Sequence, residues 1–340
     1  MNSIFNLTLE MLENDLVENG FKKFNASQIY DWIYKKNEYN FDNFSNISKD
    51  LRNFLKNNYS ISFPKVIERQ VSYDKTIKYL FEFDDLSKVE GVLMHHDYGN
   101  SFCVSSEVGC NMGCAFCASG LKKKIRNLEA FEMVSMIIKS MDTEKERISS
   151  VVIMGTGEPL DNFDEVIRFI KIINAPKGLE IGIRHITLST SGLVPKIIEL
   201  SNLNLGINLA ISLHAPTDDL RCKIMPINKA YPLKELIDAC KVYFEKTKRR
   251  ITFEYLLLKD VNDSRLYADK LADLIKHLNA YVNLIPYNKV SEFDFETSPE
   301  KNVNNFYDEL KKRGINVTLR RKMGDDIDAA CGQLRSKYTK

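Results

Sequence analysis

Five β-like segments alternate with amphipathic segments through the central and C-terminal parts of this 340-residue sequence. The β-like segments read VVIMG, HITLST, NLAISLH, RITFEYLLL and YVNLIPY, and stretches such as LKELIDACKVYFEK, with apolar residues at helical spacing, separate them. A strand followed by a helix and then by another strand predicts a parallel sheet covered by helices. This alternation constrains the fold more than any other feature of the chain.

A sixth strand, SFCVSSE, precedes these five segments. Six βα units are fewer than the eight of a closed TIM barrel, so the sequence predicts an α/β fold built as an open (βα)6 partial barrel. Its lateral gap would admit a large substrate. Upstream, TIKYLFEF and KVEGVLMHH alternate with period two and predict a β-hairpin that leads into the first barrel strand. In barrels of this type the site is built at the C-terminal ends of the strands.

The first 75 residues have a different pattern. In ASQIYDWIYKK the apolar residues Ile29, Trp32 and Ile33 recur at helical spacing. We therefore predict a small helical accessory domain over 1–75 and a barrel domain over 76–340 that includes the hairpin and the C-terminal tail. Lysines such as Lys22 and Lys35 lie among aromatic residues, a pattern that suits RNA contact and suits an ordinary small core equally well.

Charge alone does not indicate a nucleic-acid partner, because 48 basic and 46 acidic residues leave a net charge of only +2. Local basic clusters could neutralise phosphates, but only their convergence on one surface would distinguish them from solvated loops. The clusters are Lys122, Lys123, Lys124 and Arg126; Lys246, Lys248, Arg249 and Arg250; and Arg320, Arg321 and Lys322. No apolar run approaches a membrane span of about twenty residues, and no leader-like start is present, so we predict a cytoplasmic protein with no membrane partner.

The string GCNMGCAFC places Cys110, Cys114 and Cys117 at CxxxCxxC spacing directly after the first barrel strand. Cysteine thiolates hold iron–sulfur cubes, and three thiolates leave one of the four irons open to another ligand. Zinc is the alternative, although a structural zinc site normally has four protein ligands and no partner pair at finger-like spacing follows. With seven cysteines, three of them clustered, the chain indicates redox chemistry in a reducing compartment rather than a disulfide framework.

Polar and small residues follow several of the predicted strands. In GTGEPLDN, Gly157 permits close approach of a ligand and Glu158 can accept hydrogen bonds from an amine. Ser189 in LSTSG, Ser212 to His214 in ISLHAP and Asn288 in IPYN end later strands. A plain βα loop and a core histidine are the alternatives, but the regular placement favours residues that line a cofactor site.

The remaining cysteines fall into two groups. Cys331 lies in GDDIDAACGQL, a polar segment without periodicity in which packing poorly explains a lone thiol. Cys103 is on the first barrel strand, where burial is the ordinary explanation. Cys222 and Cys240 lie in helix-like stretches and are predicted to be structural.

The CxxxCxxC spacing resembles that of the radical S-adenosylmethionine (SAM) enzymes. In them the amine and carboxylate of SAM chelate the fourth iron, and an electron from the cluster splits the sulfonium into methionine and a 5′-deoxyadenosyl radical. Taken with MGTGEPLDN, LSTSGLVP, ISLHAPTDDLR, RRITFEY and GDDIDAACGQL, the chain resembles the RlmN/Cfr family of radical SAM RNA adenine methyltransferases over nearly its whole length.

This resemblance implies one [4Fe-4S] cluster on the three clustered cysteines and two SAM molecules per turnover. It implies a SAM site formed by Gly157, Glu158, Ser189, Ser212, Leu213, His214 and Asn288. Cys331 would accept a methyl group to become S-methylcysteine, and the radical formed from that methyl group would attack the adenine in a covalent protein–RNA intermediate. Glu90 would be the proton acceptor, and Cys103 would resolve the intermediate in a disulfide with Cys331.

The family has two branches. One methylates C2 of an adenosine in the peptidyl-transferase region of 23S rRNA and of certain tRNAs, and the strings around Gly157 and Cys331 resemble this branch more closely. The other methylates C8 of the same rRNA adenosine and confers antibiotic resistance. The implied partners are 23S rRNA, tRNA and a low-potential electron donor such as flavodoxin or ferredoxin, with the N-terminal domain in contact with RNA.

Two alternatives stay open. One is a radical SAM enzyme that acts on a protein or a small molecule, with Cys331 as a structural residue. The other is an RNA-binding iron–sulfur protein without catalysis.

Overall fold

A ten-stranded mixed sheet forms the centre of the computed structural model, which describes residues 1–290, 292–320, 323–324, 326–327 and 333–338. The strand order is β14-β13-β12-β11-β10-β9-β6-β5-β4-β3. These strands are β3 (Lys65–Val71), β4 (Ile77–Glu82), β5 (Lys88–His96), β6 (Gly99–Val104), β9 (Ile148–Ile153), β10 (Ile186–Thr190), β11 (Asn208–Ser212), β12 (Ile251–Leu257), β13 (Ala280–Pro286) and β14 (Val317–Leu319). Two short pairs lie outside it: β1 (Asn2–Ser3) with β2 (Tyr59–Ser60), and β7 (Glu107–Val108) with β8 (Arg126–Asn127).

The six predicted barrel strands are present and run parallel from β6 through β13. A short seventh parallel strand, β14, extends the open edge. Helices cross between them, as short parallel connections require. The helices of this half are α4 (Ala130–Glu144), α5 (Phe163–Asn174), α6 (Val194–Leu203), α7 (Asp218–Ile224), α8 (Leu233–Thr247), α9 (Arg265–Ile275) and α10 (Glu300–Lys312), and α11 (Gln333–Tyr338) follows near the C-terminus. The predicted (βα)6 partial barrel is confirmed.

The antiparallel half of the sheet is larger than predicted. The hairpin of β4 and β5 leads into β6 as expected, but β3 adds a further strand against β4. The prediction that helical structure extends to residue 75 was therefore wrong over Lys65–Val71. The helical region ends at Asn58, and Val66 is the type of residue that fits a pleated surface once β4 offers its free edge.

The N-terminal region contains the α-helices α1 (Leu9–Glu18), α2 (Asn25–Tyr30) and α3 (Lys49–Asn58). Thr8 and Ser48 cap α1 and α3, since each side-chain oxygen accepts a backbone N–H three residues on, at 3.2 Å. The apolar faces of these helices join the same continuous core as the barrel. Asn6 joins the two parts directly, because it accepts the backbone N–H of Phe131 at 2.9 Å.

None of the helices that the structure describes combines the length and apolar composition of a membrane span.

Candidate active site

A cavity of about 350 Å³ lies at the C-terminal ends of the barrel strands. Its walls include most of the residues that the sequence singled out: Cys103, Cys110, Cys114, Cys117, Gly157, Glu158, Ser189, Ser212, His214 and Asn288. Leu213 and Glu90 are not part of the wall. The fold therefore brings residues from six parts of the chain to one place.

The cysteine loop leaves β7 and is fixed by its backbone. Gly109 has φ +88°, and a Cβ there would lie 2.2 Å from the carbonyl oxygen of Lys123, so only glycine fits. The N–H of Cys110 donates to the Lys122 carbonyl at 3.1 Å, and that of Cys117 donates to the Cys114 carbonyl at 3.2 Å. These bonds hold the three thiols on one side of the loop, facing the cavity.

The Cys110 and Cys114 thiols are hard to ionise without a nearby cation. Burial raises the pKa of Cys110 to about 12 and raises that of Cys114 further, and the neighbouring cysteines add to both shifts. Within the described residues no three Cys, His, Asp or Glu side chains are grouped so as to hold a single metal ion. A four-iron cluster binds each thiolate at a different iron, so the cysteines fit such a cluster.

Glu158 joins two strand-end loops. Its carboxylate oxygens accept the backbone N–H groups of Leu160 at 3.0 Å and Ser191 at 2.7 Å, although burial raises its pKa. Gly157 has φ +109°, and a Cβ there would lie 2.6 Å from the Glu107 side chain. Glu107 in turn accepts the Glu158 N–H at 3.0 Å and lies 2.7 Å from the Lys124 ammonium. The backbone of the GTGE turn is thus fixed beside the cavity by Glu107, which is itself paired with Lys124.

Arg221 organises the next two strand ends and was missed by the sequence reasoning. Its buried guanidinium donates to the carbonyl oxygens of Ser191 at 2.6 Å, Ser212 at 3.1 Å and Leu213 at 3.1 Å, and to Asn228 at 3.0 Å. Burial lowers the pKa of Arg221 to about 10. The only signal in the sequence was its place in ISLHAPTDDLR, seven residues after His214.

Ser189 and Ser212 face each other across β10 and β11 with their hydroxyl oxygens 3.4 Å apart. Two hydroxyl groups at this spacing can bind a ribose or a carboxylate. Leu213 contributes no side chain to the cavity, because its side chain is fully buried in the core while its N–H donates to the Glu254 carbonyl at 3.1 Å.

His214 has φ +55°, and its Nδ1 accepts the backbone N–H of Leu256 at 3.0 Å. Because Nδ1 is an acceptor, the neutral ring carries its proton on Nε2. Burial, with a smaller effect from Arg221, lowers the pKa of His214 to about 3. The ring meets Phe116 edge-on at 4.9 Å. The structure therefore presents a neutral imidazole rather than a charged one.

Cys103 and Glu90 are neighbours on β6 and β5. Cys103 forms no disulfide with any cysteine that the structure describes, and burial raises the pKa of its thiol to about 11 despite opposing effects from Arg320 and Lys78. Glu90 is only 4% exposed and lies 3.0 Å from the Lys78 ammonium, so it is not an exposed strand glutamate. The nearby Glu90 carboxylate adds to the rise in the pKa of the Cys103 thiol.

Cys331 lies outside the described residues, and the disulfide with Cys103 stays a prediction without support. Cys222 and Cys240 lie in α7 and α8 as predicted from their helix-like context, with Cys240 fully buried.

Glu254 on β12 is a second residue that the sequence reasoning missed. It lines the cavity with 6% exposure, and one oxygen accepts an amide N–H of Asn283 at 2.8 Å. Burial raises its pKa, and the nearby Arg320 opposes this shift. Its position in the strand pattern, between Thr252 and Leu256, was the signal that it faces the barrel interior.

Comparisons with known proteins agree with this geometry. Residues 104–275 match the radical SAM superfamily, and residues 2–61 match the ribosomal RNA large subunit methyltransferase N-terminal domain. A Spiroplasma citri protein named as a probable dual-specificity RNA methyltransferase RlmN is 54% identical over 99% of this chain and 98% of its own length. A Bacillus subtilis protein of the same name is 50% identical over 98% of this chain and 93% of its own.

A solved structure is also similar over the full length. The radical SAM methyltransferase from Sphaerobacter thermophilus has a TM-score of 0.91 and 39% identity, covering 98% of this chain and 99% of its own.

Proposed function

Since this chain belongs to the RlmN family of radical SAM RNA methyltransferases, we propose that it methylates C2 of adenosine in 23S rRNA and in certain tRNAs. One observation carries the proposal: the three clustered cysteines, the GTGE turn, Ser189, Ser212 and His214 line a single cavity whose wall also holds Cys103. The relatives' name, dual-specificity RNA methyltransferase, favours this reaction over C8 methylation.

The chemistry of the target explains why radical machinery is required. The C2 hydrogen of adenine is not acidic and its carbon has no lone pair, so direct polar transfer of a methyl group from a sulfonium has no nucleophile. A [4Fe-4S] cluster on Cys110, Cys114 and Cys117 would supply the electron that cleaves SAM to methionine and a 5′-deoxyadenosyl radical.

The remaining cavity residues bind and orient SAM. The His214 Nε2–H is a donor whose direction is fixed by the bond at Nδ1. Ser189 and Ser212 offer hydroxyl groups, and Asn288 offers an amide at the end of β13. Because Glu158 already accepts two backbone N–H groups, its first role is to fix the loop, and its remaining lone pairs would be available to accept hydrogen bonds from the SAM amine.

Two SAM molecules are used per turnover. Cys331 takes a methyl group from the first and becomes S-methylcysteine, and the second yields the radical that removes a hydrogen atom from that methyl group. The thiomethylene carbon then bonds to C2 of adenine. The adduct radical would lose one electron, which the oxidised cluster could take back, and Glu90 would accept the C2 proton. Cys103, after loss of its thiol proton, would attack the Cys331 sulfur to form a disulfide, and the released methylene carbon would take up a proton to become the methyl group on C2.

The reaction needs a one-electron donor of low potential, for which a flavodoxin or a ferredoxin is suited. The proposed RNA substrates are cytoplasmic, and so would be the enzyme.

Mass spectrometry of protein purified without air tests the proposal. A methyl group on Cys331 and 2-methyladenosine in RNA from a deletion strain complemented with this chain are expected. Formation of 8-methyladenosine instead would assign the other branch. An RNA-binding protein without catalysis would yield no 5′-deoxyadenosine from SAM and reductant, and an enzyme acting on proteins or small molecules would leave Cys331 unmethylated.

A further inference from the structure

A second cavity of about 1060 Å³ opens at the other end of the barrel. Thr187, Asn208 and Thr252, which lie at or next to the first residues of their strands, form part of its wall. It shares Met94, Met154, Glu254, Arg320 and Met323 with the active-site cavity. The two cavities therefore meet inside the barrel, and the interior can be reached from the N-terminal ends of the strands.

Members of two of the three basic clusters line this opening. Lys248, Arg249 and Arg250 come from the turn before β12, and Arg320 follows β14. In the part of the chain that the structure describes, none of these four side chains forms an ion pair. One terminal nitrogen of the Arg249 guanidinium donates to the Asn208 side-chain oxygen at 2.5 Å. The buried Nε of Arg249 has no hydrogen-bond partner among the described residues.

The first basic cluster is partly neutralised, at two of its four members. Lys124 pairs with Glu107 and Asp161, and Arg126 pairs with Asp85 and Glu132. These carboxylates neutralise their cations within the fold, so these two residues have little charge left for a phosphate. Convergence and lack of ion pairs thus single out the second opening.

Three acidic residues also line the opening, and they do not cancel its charge at the rim. Glu254 is buried inside the barrel beside Asn283. Asp74 accepts the backbone N–H groups of Thr76 at 2.9 Å and Gly324 at 2.8 Å. Asp97 is exposed, but its single negative charge is outnumbered by the three exposed cations Lys248, Arg250 and Arg320 that line the same opening.

Aromatic rings lie beside these cations. The rings of His96 and Tyr98 stack at 4.8 Å with an angle of 6°, and Tyr98 is 80% exposed. Burial, helped by Arg320 and His95, lowers the pKa of His96, so its ring stacks as a neutral group. The Arg250 guanidinium lies 4.4 Å from the centre of the Tyr281 ring. Basic side chains beside exposed rings are typical of surfaces that bind single-stranded nucleic acid.

We propose that this opening is the entrance for the RNA substrate. Phosphates of the single-stranded segment around the target adenosine bind Lys248, Arg249 and Arg250, a flanking base stacks on Tyr98, and the target base passes Arg320 toward Cys103. The proposal rests on the proposed function, because it takes RNA as the substrate, and it assigns the surface on which that RNA lies.

Salt-dependent binding of a tRNA transcript to the holoenzyme tests the phosphate contacts. The double variant Arg249→Gln with Arg250→Gln should lower affinity at low salt by about tenfold or more. It should also reduce the slope of log K against log salt by about 0.7 for each lost contact. The matched control is Lys234→Gln with Lys241→Gln, which removes the same charge from α8, where both lysines pair with Asp238.

The stacking contact has its own test. Tyr98→Ala should weaken binding roughly 5- to 150-fold, the range for loss of one stacked base, while Tyr98→Phe should stay within about twofold of wild type. Equal binding by Tyr98→Ala and wild type would contradict the stacking contact. Iron content and melting temperature of each variant show that it is folded.

The outcomes separate this inference from the proposed function. The proposed entrance is wrong if the double arginine variant and the double lysine control change the salt dependence of transcript binding equally, or if neither changes it. That result would leave the proposed function standing wherever the wild-type enzyme forms 2-methyladenosine. If wild-type holoenzyme does not bind the transcript at any salt concentration, both proposals are overturned. A loss of transcript affinity in the double arginine variant and in Tyr98→Ala, but not in their controls, supports the proposed entrance whichever adenine carbon is methylated.

Discussion

The ammonium group of Lys78 lies 3.0 Å from a carboxylate oxygen of Glu90, and the two side chains are 0% and 4% exposed. The pair spans β4 and β5 next to the Cys103 thiol. A carboxylate proposed as the proton acceptor thus also has a structural partner. Any test of its catalytic role has to separate the two effects.

Glu90→Gln should destabilise the fold by about 3–5 kcal/mol, because it leaves the buried Lys78 ammonium without this carboxylate. Lys78→Met combined with Glu90→Gln should recover most of that loss, since both charges are then gone. Urea unfolding measures the stability. If Glu90 accepts the C2 proton, both variants accumulate a covalent protein–RNA adduct on gels. A double variant that releases RNA at the wild-type rate would show that Glu90 has only the structural role.

Arg221→Gln should weaken SAM binding by about tenfold and lower stability by about 3 kcal/mol. The reason is that three buried carbonyl oxygens, of Ser191, Ser212 and Leu213, lose their donor. Equilibrium binding of SAM and chemical unfolding are the measurements. Arg168→Gln is the control, because Arg168 forms a partly exposed pair with Glu165 and its loss should cost under about 0.5 kcal/mol. Unchanged SAM affinity in Arg221→Gln would rule out the positioning role.

His214 should make the protein less stable in mild acid. Its pKa is about 3 in the fold and near 6.5 when unfolded, so its contribution is present above pH 6.5 and declines as pH falls toward 3. Between pH 7 and 5 the loss should be about 2 kcal/mol. His214→Asn, which tolerates the left-handed backbone, should remove this part of the pH dependence in urea unfolding. Identical pH profiles would mean that the imidazole is not held neutral.

Cys103 should react slowly with iodoacetamide at neutral pH, because burial raises its pKa to about 11 and keeps it a thiol. The alkylation rate, followed by mass spectrometry of the Cys103 peptide, should rise about tenfold per pH unit up to pH 9 without a plateau. Cys103→Ser confirms the assignment of the modified peptide. A plateau near pH 8.5 would indicate an ordinary exposed thiol and contradict the buried environment.

Much of the site could be predicted because its residues follow strand ends. Parallel strands put their C-terminal ends at one edge, so Gly157, Ser189, Ser212 and Asn288 had to lie near the loop that follows the first strand. Glu90 could not be placed this way, because its alternation on β5 does not reveal that it is buried and paired with Lys78 of the neighbouring strand β4. Helical structure was extended over β3 for a similar reason: a strand of mixed polarity forms only when a neighbouring edge is available.

Arg221 and the RNA entrance show the limit of sequence reasoning most clearly. The sequence does not distinguish a buried arginine from a solvated one. The Arg221 guanidinium lies among three carbonyl oxygens only because α7 packs next to the ends of β10 and β11. The basic clusters around Arg249 and Arg320 are about seventy residues apart in the sequence. Their meeting at one opening depends on how the sheet curves.

The sequence by itself determined the partial barrel, the grouping of three cysteines at CxxxCxxC spacing and the order of the strand-end residues, because periodicity and spacing can be recognised in the chain without knowledge of its fold. Only the tertiary structure decided which charges are paired, which polar groups are buried and where the barrel interior opens. Those properties depend on distances between residues remote in sequence, and electrostatic free energies change steeply with such distances and with burial.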